Sequence, residues 1–154
     1  MSGLTHLGDT RIIVALALLG VLESRRKAPS ARRRKGPLIP WLGVGVAMGI
    51  TGCLKILVTR PRPAEVYPAL GLVAPDVGRS FPSGHAAGAF AVATALSLRW
   101  PRGRWLWFSL ASGVALSRVA LGMHWPSDAV VGALIGSGAV IGLSLGLRRW
   151  LQVE

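Results

Sequence analysis

The sequence predicts an all-α polytopic transmembrane bundle, formed as a single domain over residues 1–154. Three observations lead to this prediction. Apolar residues make up 51% of the chain and are gathered into long blocks, with most of the charges between the blocks. None of these blocks shows the alternation of a β-strand, and an open sheet cannot satisfy its backbone hydrogen bonds in lipid. The 20 glycines, many of them inside the blocks, are typical of helices that pack closely in a membrane.

Five apolar segments are candidates for spanning helices. They are Arg11 to Leu22, Leu38 to Val58, Ala86 to Leu98, Trp105 to about Gly122, and Ala129 to Leu147. The second segment has about 21 residues, or about 31 Å at helical rise, which matches the hydrocarbon core of a bilayer. The first segment is short and crosses only if the preceding residues Leu4 to Thr10 extend it. The third is expected to begin a few residues earlier.

The charges between these segments predict how the chain crosses the membrane. The stretch ESRRKAPSARRRK separates the first two segments, and RWPRGR separates the third from the fourth. If every segment crosses, both stretches lie on one side, and their arginines and lysines place that side in the cytoplasm. The net charge of +12 also suits a nucleic-acid binder, but such a protein has no need of long uncharged blocks. Membrane lipids are therefore the expected partners, and nucleic acid is not.

A second group of basic residues breaks this charge pattern, because it falls at the opposite ends of the helices. The stretches KILVTRPRP, FPSGH and SRVALGMHWPSD lie there. Near a membrane boundary, Lys55, Arg62 and Arg118 would repel one another unless an anion lay between them. Guanidinium and ammonium groups bind phosphate well, and a helix that begins near Ser83 and Gly84 offers backbone N–H groups to the same anion. A phosphate site is therefore predicted at this end of the bundle.

Phosphate binding alone does not require the histidines found in these stretches. Asp128 follows His124 by four residues at a predicted helix start, so its carboxylate can reach one ring nitrogen and aim the other outward. His124 is then a candidate nucleophile, and His85 is a candidate general acid. Phosphoryl transfer depends mainly on positioning and charge stabilisation, which the three cations would supply. These residue types together predict a catalytic site.

The three stretches resemble the signature of the type 2 phosphatidic acid phosphatase superfamily, in which K-x6-R-P, P-S-G-H and S-R-x5-H-x3-D occur in this order. The match runs from Lys55 to Asp128 without a departure. The resemblance implies a phosphohistidine on His124, with Asp128 orienting the ring and His85 protonating the leaving oxygen. It implies a phosphate held by Lys55, Arg62, Ser83, Gly84 and Arg118. It also implies that no metal or other cofactor is needed.

One feature of the chain differs from the usual architecture of that superfamily. Its membrane members usually have six helices, with the motifs on the last four. Here only one apolar segment precedes the helix that carries Lys55, so the first helix of the family is expected to be missing. The oligomeric state is left open by this difference, including completion of the bundle by a second copy of the chain.

Other chemistries fit the sequence less well. With three histidines, scattered acidic residues and one cysteine, a di-metal hydrolase is hard to assemble. A Ser-His-Asp hydrolase using Ser83 lacks the G-x-S-x-G turn around the serine. A haloperoxidase of the same superfamily does not match the membrane-spanning composition. A non-catalytic binder of anionic lipid head groups would use the same cations but would have no need of an aimed imidazole.

The expected function is an integral-membrane, metal-independent lipid phosphatase that removes a terminal phosphate. The short and weakly polar stretch AEVYPALGLVAPDVG leaves little room for a large soluble head group, which favours a polyprenyl phosphate or diphosphate. Phosphatidylglycerol phosphate, phosphatidic acid and a lipid-linked sugar phosphate remain alternatives. The expected location is the inner membrane of a bacterial cell, with the site on the periplasmic or extracellular side and the polybasic loop in the cytoplasm.

Overall fold

The structure, a computed structural model, describes residues 31–70 and 79–152. In chain order its helices are α1 (Ala31–Leu57), the one-turn α2 (Pro63–Val66), α3 (Gly84–Arg99), α4 (Arg104–Ala120) and α5 (Pro126–Gln152). Short 3-10 turns at Pro68–Leu70 and Pro101–Gly103 complete the regular structure of these ranges, which contain no strand. The predicted all-α class is confirmed for this part of the chain.

The helix bounds follow the predicted segments closely, except that α1 begins earlier and α5 extends past Leu147 to Gln152. The apolar segment predicted from Leu38 is the second part of a longer helix, because α1 already begins at Ala31. Residues 31–35 of the predicted basic loop are therefore helical. Arginine, lysine and alanine are strong helix formers, so a helix can continue past the end of its apolar part. The first predicted segment, Arg11 to Leu22, lies outside the described residues.

Two helices of the described ranges are long and apolar enough to cross a membrane. They are Leu38–Leu57 within α1, with 20 residues, and Pro126–Leu147 within α5, with 22 residues. The other two long helices, α3 and α4, have 16 and 17 residues. At helical rise they are about 24 and 26 Å long, which is less than the hydrocarbon core of about 30 Å. The bundle of about five spanning helices is thus supported for two of its members and stays a prediction for the rest.

Small residues let the helices approach the central helix, α3, which contacts α1, α4 and α5. Four residues of α3 have no exposed surface: Ala86, Ala87, Ala91 and Ala95. On α5, Gly132 and Gly136 lie one turn apart and face them. A Cβ atom at Gly132 would overlap the carbonyl oxygen of Ser83, and one at Gly136 would overlap that of Ala87. The G-x-x-x-G spacing on α5 therefore permits a backbone contact of the kind found between membrane helices.

Most of the large apolar side chains lie on the outside of the bundle, although Trp41 packs in its core. Leu57, Trp105 and Leu134 are 75%, 74% and 67% exposed, whereas the central contacts are formed mainly by alanine, glycine and valine. A water-soluble domain buries most of its large apolar side chains together, but helices that face lipid have no reason to do so. This distribution supports the predicted location in a membrane.

Three backbone hydrogen bonds hold the motif-bearing segments together at one end of the bundle. The Ser80 N–H donates to the Arg60 carbonyl at 2.9 Å, and the Ser83 N–H donates to the Asp128 carbonyl at 3.0 Å. The N–H of Ala64 donates to the carbonyl of Gly122, also at 3.0 Å. Since α1 and α4 end here while α3 and α5 begin here, residues distant in sequence meet at one depth.

Candidate active site

His124 lies in the loop between α4 and α5 and is only 2% exposed. Its Nδ1 atom is 2.7 Å from the carbonyl oxygen of Ser80. A carbonyl oxygen can only accept a hydrogen bond, so Nδ1 carries the proton. In the neutral ring the lone pair is therefore on Nε2. This is the nitrogen that can act as a nucleophile.

The surroundings of His124 keep the ring neutral. Burial lowers the pKa of His124 from 6.5 to about 4, because the charged ring is poorly solvated in the interior. The hydrogen bond to Ser80 and the carboxylate of Asp128 raise the pKa, whereas the positive charges of Lys55 and Arg62 lower it. The net effect leaves an unprotonated nitrogen at physiological pH, as nucleophilic attack requires.

Asp128 is fully buried in the first turn of α5, and both its carboxylate oxygens are engaged. Oδ1 accepts from Arg60 Nη1 at 2.6 Å. Oδ2 accepts from the backbone N–H of Trp125 at 2.9 Å and from the Ser80 hydroxyl. The Trp125 contact is the backward half of a capping box, in which the third helical residue satisfies the N–H of the residue before the helix. Asp128 therefore anchors the start of α5 and the turn that carries His124.

The contact between Asp128 and His124 differs from the one expected from the sequence. The distance from His124 Nδ1 to Asp128 Oδ2 is 3.9 Å, which allows charge attraction but is too long for a hydrogen bond. The hydrogen bond to Nδ1 is accepted by the Ser80 carbonyl oxygen instead. The four-residue spacing brings the carboxylate near the ring, as expected. Its Oδ2 atom is already occupied by Trp125 and Ser80, which explains the difference.

The predicted phosphate-binding cations all lie near helix ends. Lys55 is in the last turn of α1 and donates from Nζ to the Arg79 carbonyl at 3.3 Å. Its side chain lies beside the start of α3, since a Cβ atom built on Gly84 would be 3.8 Å from Lys55 Cε. Arg62 precedes α2 and Arg118 lies in the last turn of α4, and the two residues are 8% and 6% exposed.

The P-S-G-H stretch forms the start of α3, as the sequence predicts. Ser83 caps this helix and is fully buried, and its Oγ accepts from the Ala86 N–H at 3.3 Å. A hydroxyl that accepts in this way keeps its own proton for an anion. Gly84 is the first helical residue, and the half-buried His85 is the second. Backbone N–H groups of this first turn are the kind of donors that bind phosphate at helix N-termini.

Sequence reasoning did not assign roles to two residues that contact the site, Ser80 and Arg60. Ser80 contacts His124 through its carbonyl oxygen, which every residue type has, so no sequence signal identifies this contact. Arg60 belongs to the basic stretch KILVTRPRP. An arginine there could bind phosphate or pair with Asp128, so its residue type does not decide its role. Within residues 31–70 and 79–152, no group of three or more His, Cys, Asp or Glu side chains is placed to hold a metal ion.

Residues 36–151 match the PAP2 superfamily. The chain is 37% identical over 142 residues to decaprenylphosphoryl-5-phosphoribose phosphatase of Mycobacterium tuberculosis, covering 90% of this chain and 75% of that protein. It is 44% identical over 79 residues to phosphatidylglycerophosphatase B of Escherichia coli, covering 48% of this chain and 31% of that one. The crystal structure of Aquifex aeolicus LpxE superposes with a TM-score of 0.76 at 30% identity, covering 93% of this chain and 81% of that one.

The structure is thus a helical bundle of the PAP2 kind, with the three sequence motifs together at one end. The chain belongs to the PAP2 superfamily, because the match covers most of its length. The predicted family and the predicted enzyme class, a phosphatase acting on lipid phosphates, are confirmed.

The lowered pKa of His124 predicts that this ring does not titrate near neutral pH. The chain has three histidines, so histidine-selective NMR of the detergent-solubilised protein is simple to assign, with His124→Gln removing one signal. Between about pH 8 and about pH 5.5 we expect the signal lost in this variant to stay at its neutral position, since a pKa of about 4 lies below that range. Titration of this signal with a midpoint near 6.5 or higher would contradict the assignment.

Proposed function

We propose that this protein is a metal-independent lipid phosphatase that works through a phosphohistidine on His124. The observation that carries the proposal is the His124 ring itself. It is buried and neutral, and its Nδ1 proton is engaged by the Ser80 carbonyl, which leaves the Nε2 lone pair for attack. A non-catalytic anion site has no use for a deprotonated imidazole among cations, because a protonated ring would bind an anion better.

In the first step, Nε2 of His124 attacks the phosphorus of the terminal phosphate, and the bond from phosphorus to the lipid oxygen breaks. His85 donates a proton to that oxygen, so the lipid leaves as an alcohol or as a shortened phosphate. The Nδ1 proton stays on the ring, and its hydrogen bond to Ser80 becomes stronger as the imidazole gains positive charge. The nearby carboxylate of Asp128, 3.9 Å from Nδ1, stabilises the same charge.

In the second step, water hydrolyses the phosphohistidine. His85, now without its proton, acts as the base that takes a proton from the attacking water. The bond from phosphorus to Nε2 breaks, and inorganic phosphate leaves. His124 returns to the neutral state that its burial favours.

Charge stabilisation in both steps is assigned to Lys55, Arg62 and Arg118, with Ser83 and Gly84 at the start of α3. The cations neutralise the charge on the phosphate oxygens, which is the main task of the protein in phosphoryl transfer. Two observations support the assignment. The side chain of Lys55 lies beside Gly84, and the charges of Lys55 and Arg62 both act on the His124 ring.

The substrate class we propose is a polyprenyl-linked lipid with a terminal phosphate. The M. tuberculosis relative, which resembles this chain over most of both proteins, is named for a decaprenylphosphoryl-linked phosphoribose, whereas the phosphatidylglycerophosphatase match covers 31% of that protein. A polyprenyl diphosphate or a polyprenyl-linked sugar phosphate both fit this class. Part of the stretch that favours a small head group, residues 71–78, lies outside the described ranges.

An apolar cavity beside the site supports a lipid substrate. Its volume is about 470 Å³, and it lies between α3, α4 and α5. Two of its walls are formed by α4 and α5, and the residues of each wall follow the helical spacing i, i+3, i+4 and i+7. Phe90 of α3 lines the cavity as well. The walls are Ser112, Ala115, Leu116 and Val119 on α4, and Pro126, Ala129, Val130 and Ala133 on α5. Val119 and Pro126 lie at the motif-bearing ends of α4 and α5, so the cavity reaches the end of the bundle that carries the predicted phosphate site, and we assign it to the first part of the lipid tail.

We further propose that the remaining long helices also cross the membrane and that the site opens on the periplasmic or extracellular side. The arginines and lysines of the stretches predicted to be cytoplasmic support this orientation. Short helices such as α3 and α4 can be accommodated where the bilayer thins around them. An association of two or more copies of the chain is compatible with the exposed apolar surface of α1 and α5.

Phosphate release by the purified protein tests the proposed function. The assay uses detergent, a chelator, and a panel of undecaprenyl diphosphate, decaprenylphosphoryl-5-phosphoribose, phosphatidylglycerol phosphate and phosphatidic acid. We expect release to survive the chelator and to prefer the polyprenyl substrates. His124→Ala should lower kcat by about a thousandfold or more, because the nucleophile is lost.

The matched control for this experiment is His6→Ala, which removes a histidine outside the three motifs. Activity retained by folded His124→Ala would disprove the phosphohistidine mechanism. A folded wild-type protein that binds these lipids and releases no phosphate from any of them would support an anionic-lipid binder instead.

A bulky side chain in the cavity should affect long-chain substrates selectively. Ala133→Phe fills the end of the cavity away from the site, so we expect kcat/KM for a long-chain polyprenyl substrate to fall about tenfold or more, with little change for a two-isoprene analogue. Leu134→Phe is the control, because Leu134 lies next to Ala133 on α5 but does not line the cavity. Equal losses for both chain lengths, or the same effect in the control, would exclude this cavity as the tail site.

A further inference from the structure

Ser80 joins the three motif segments through all its polar groups. It is fully buried. Its N–H donates to the Arg60 carbonyl at 2.9 Å, and its hydroxyl donates to Asp128 Oδ2. Its carbonyl oxygen accepts from His124 Nδ1 at 2.7 Å. The carbonyl oxygen of Ser80 fixes the tautomer of His124. The contacts of the Ser80 N–H and hydroxyl therefore hold this oxygen in place.

Arg60 also contacts Asp128, so that Arg60, Ser80 and Asp128 form a closed cycle of contacts. Its Nη1 donates to Asp128 Oδ1 at 2.6 Å and to Ser127 Oγ at 2.9 Å. Its guanidinium also lies over the Trp125 ring, 5.3 Å from the centroid, where a cation is attracted by the aromatic face. The cycle runs from the Arg60 carbonyl to Ser80, from Ser80 to Asp128, and from Asp128 back to the Arg60 side chain.

The ion pair between Arg60 and Asp128 argues against a phosphate-binding role for Arg60. Asp128 is 0% exposed, and a buried carboxylate is costly unless it is paired and hydrogen-bonded. Arg60 supplies that opposite charge, so its guanidinium is already neutralised and faces a carboxylate. An arginine placed to bind phosphate would not also be held this closely by Asp128.

We propose that Arg60 and Ser80 are positioning residues that keep His124 in its reactive tautomer. This inference rests on the proposed function, in which Nε2 of His124 is the nucleophile. Arg60 fixes Asp128, Asp128 fixes Ser80, and the Ser80 carbonyl fixes the Nδ1 proton. Neither residue touches the substrate. Loss of Arg60 should therefore slow the chemical step and leave substrate binding largely unchanged.

The test compares Arg60→Gln, Arg60→Lys and Ser80→Ala with the control Arg104→Gln. Arg104 lies over the Trp105 ring at the same 5.3 Å as Arg60 over Trp125, but on a helix end outside the motifs. In Arg60→Gln we expect kcat to fall about 10- to 100-fold, the usual cost of losing a group that orients a working imidazole, with KM within about twofold. Arg60→Lys should recover much of the loss, because an ammonium can still pair with Oδ1. The control should match the wild type.

Nitrogen-15 NMR of labelled histidine provides a readout independent of turnover. We expect His124 to show one Nδ1–H tautomer in the wild type and in Arg104→Gln, and a mixture in Arg60→Gln and Ser80→Ala. An unchanged tautomer and kcat in Arg60→Gln would overturn the proposal, as would a raised KM with unchanged kcat, which would make Arg60 a phosphate ligand. If Arg60→Gln does not fold, Arg60→Lys and Ser80→Ala still decide the question.

The two readouts also separate this proposal from the proposed function. A wild-type protein that is inactive on every lipid phosphate would refute the function, and the tautomer of His124 in the variants would still test the positioning network. Activity in the wild type with an unaffected tautomer in the variants would refute the network alone.

Discussion

The hydrogen bond from His124 Nδ1 to the Ser80 carbonyl oxygen is the contact on which the site depends. It joins the loop before α5 to the segment before α3 across 2.7 Å. Because a carbonyl can only accept, this contact alone decides which ring nitrogen holds the proton. Burial then keeps the other nitrogen unprotonated, since it lowers the pKa of the ring to about 4. Local backbone geometry and burial thus leave Nε2 with the free lone pair that the proposed attack needs.

The packing of α3 against α5 and the geometry of the site are parts of one arrangement. Gly132 lies one turn after Asp128 and allows the backbone of α5 to touch the Ser83 carbonyl. One turn earlier, the Ser83 N–H donates to the Asp128 carbonyl. The two helix starts that carry the motifs are therefore held together by small residues and by a backbone hydrogen bond. A larger side chain at Gly132 would separate them. This explains why glycine and alanine are placed where the motifs meet the apolar segments.

Much of the fold, and the gathering of the three motif segments at one end of the bundle, could be predicted from the sequence, because both leave patterns in residue type and spacing. The apolar blocks indicated the helices, and the starts of α3 and α5 followed from Ser83, Gly84 and Pro126. The predicted basic loop proved helical from Ala31 onward, since its arginines and lysine have a high helix propensity even though their polarity suggests a loop. Apolar composition already indicated a short α3, but it did not show that α5 continues past Leu147 to Gln152.

Two kinds of contact could not be predicted. One is a contact made by a backbone atom, and the other is a pairing that several arginines of the chain could make. The Ser80 carbonyl is independent of residue type, and the pairing of Arg60 with Asp128 depends on the fold bringing residues 60 and 128 together. The spacing of His124 and Asp128 correctly placed a carboxylate near the ring, but whether it would accept the Nδ1 proton depended on its other partners. Charge and spacing narrow the choice of residues at a site, whereas the tertiary structure decides their hydrogen bonds.

The covalent intermediate provides the most direct measurement. Wild-type protein would be mixed with a polyprenyl substrate carrying labelled terminal phosphate, quenched within one turnover in base, and mapped by mass spectrometry. We expect the label on His124, lost on exposure to acid as for a phosphoramidate, and absent in His124→Ala. Label on a different residue, or turnover by the wild type with no covalently bound phosphate at any quench time, would contradict nucleophilic catalysis by His124.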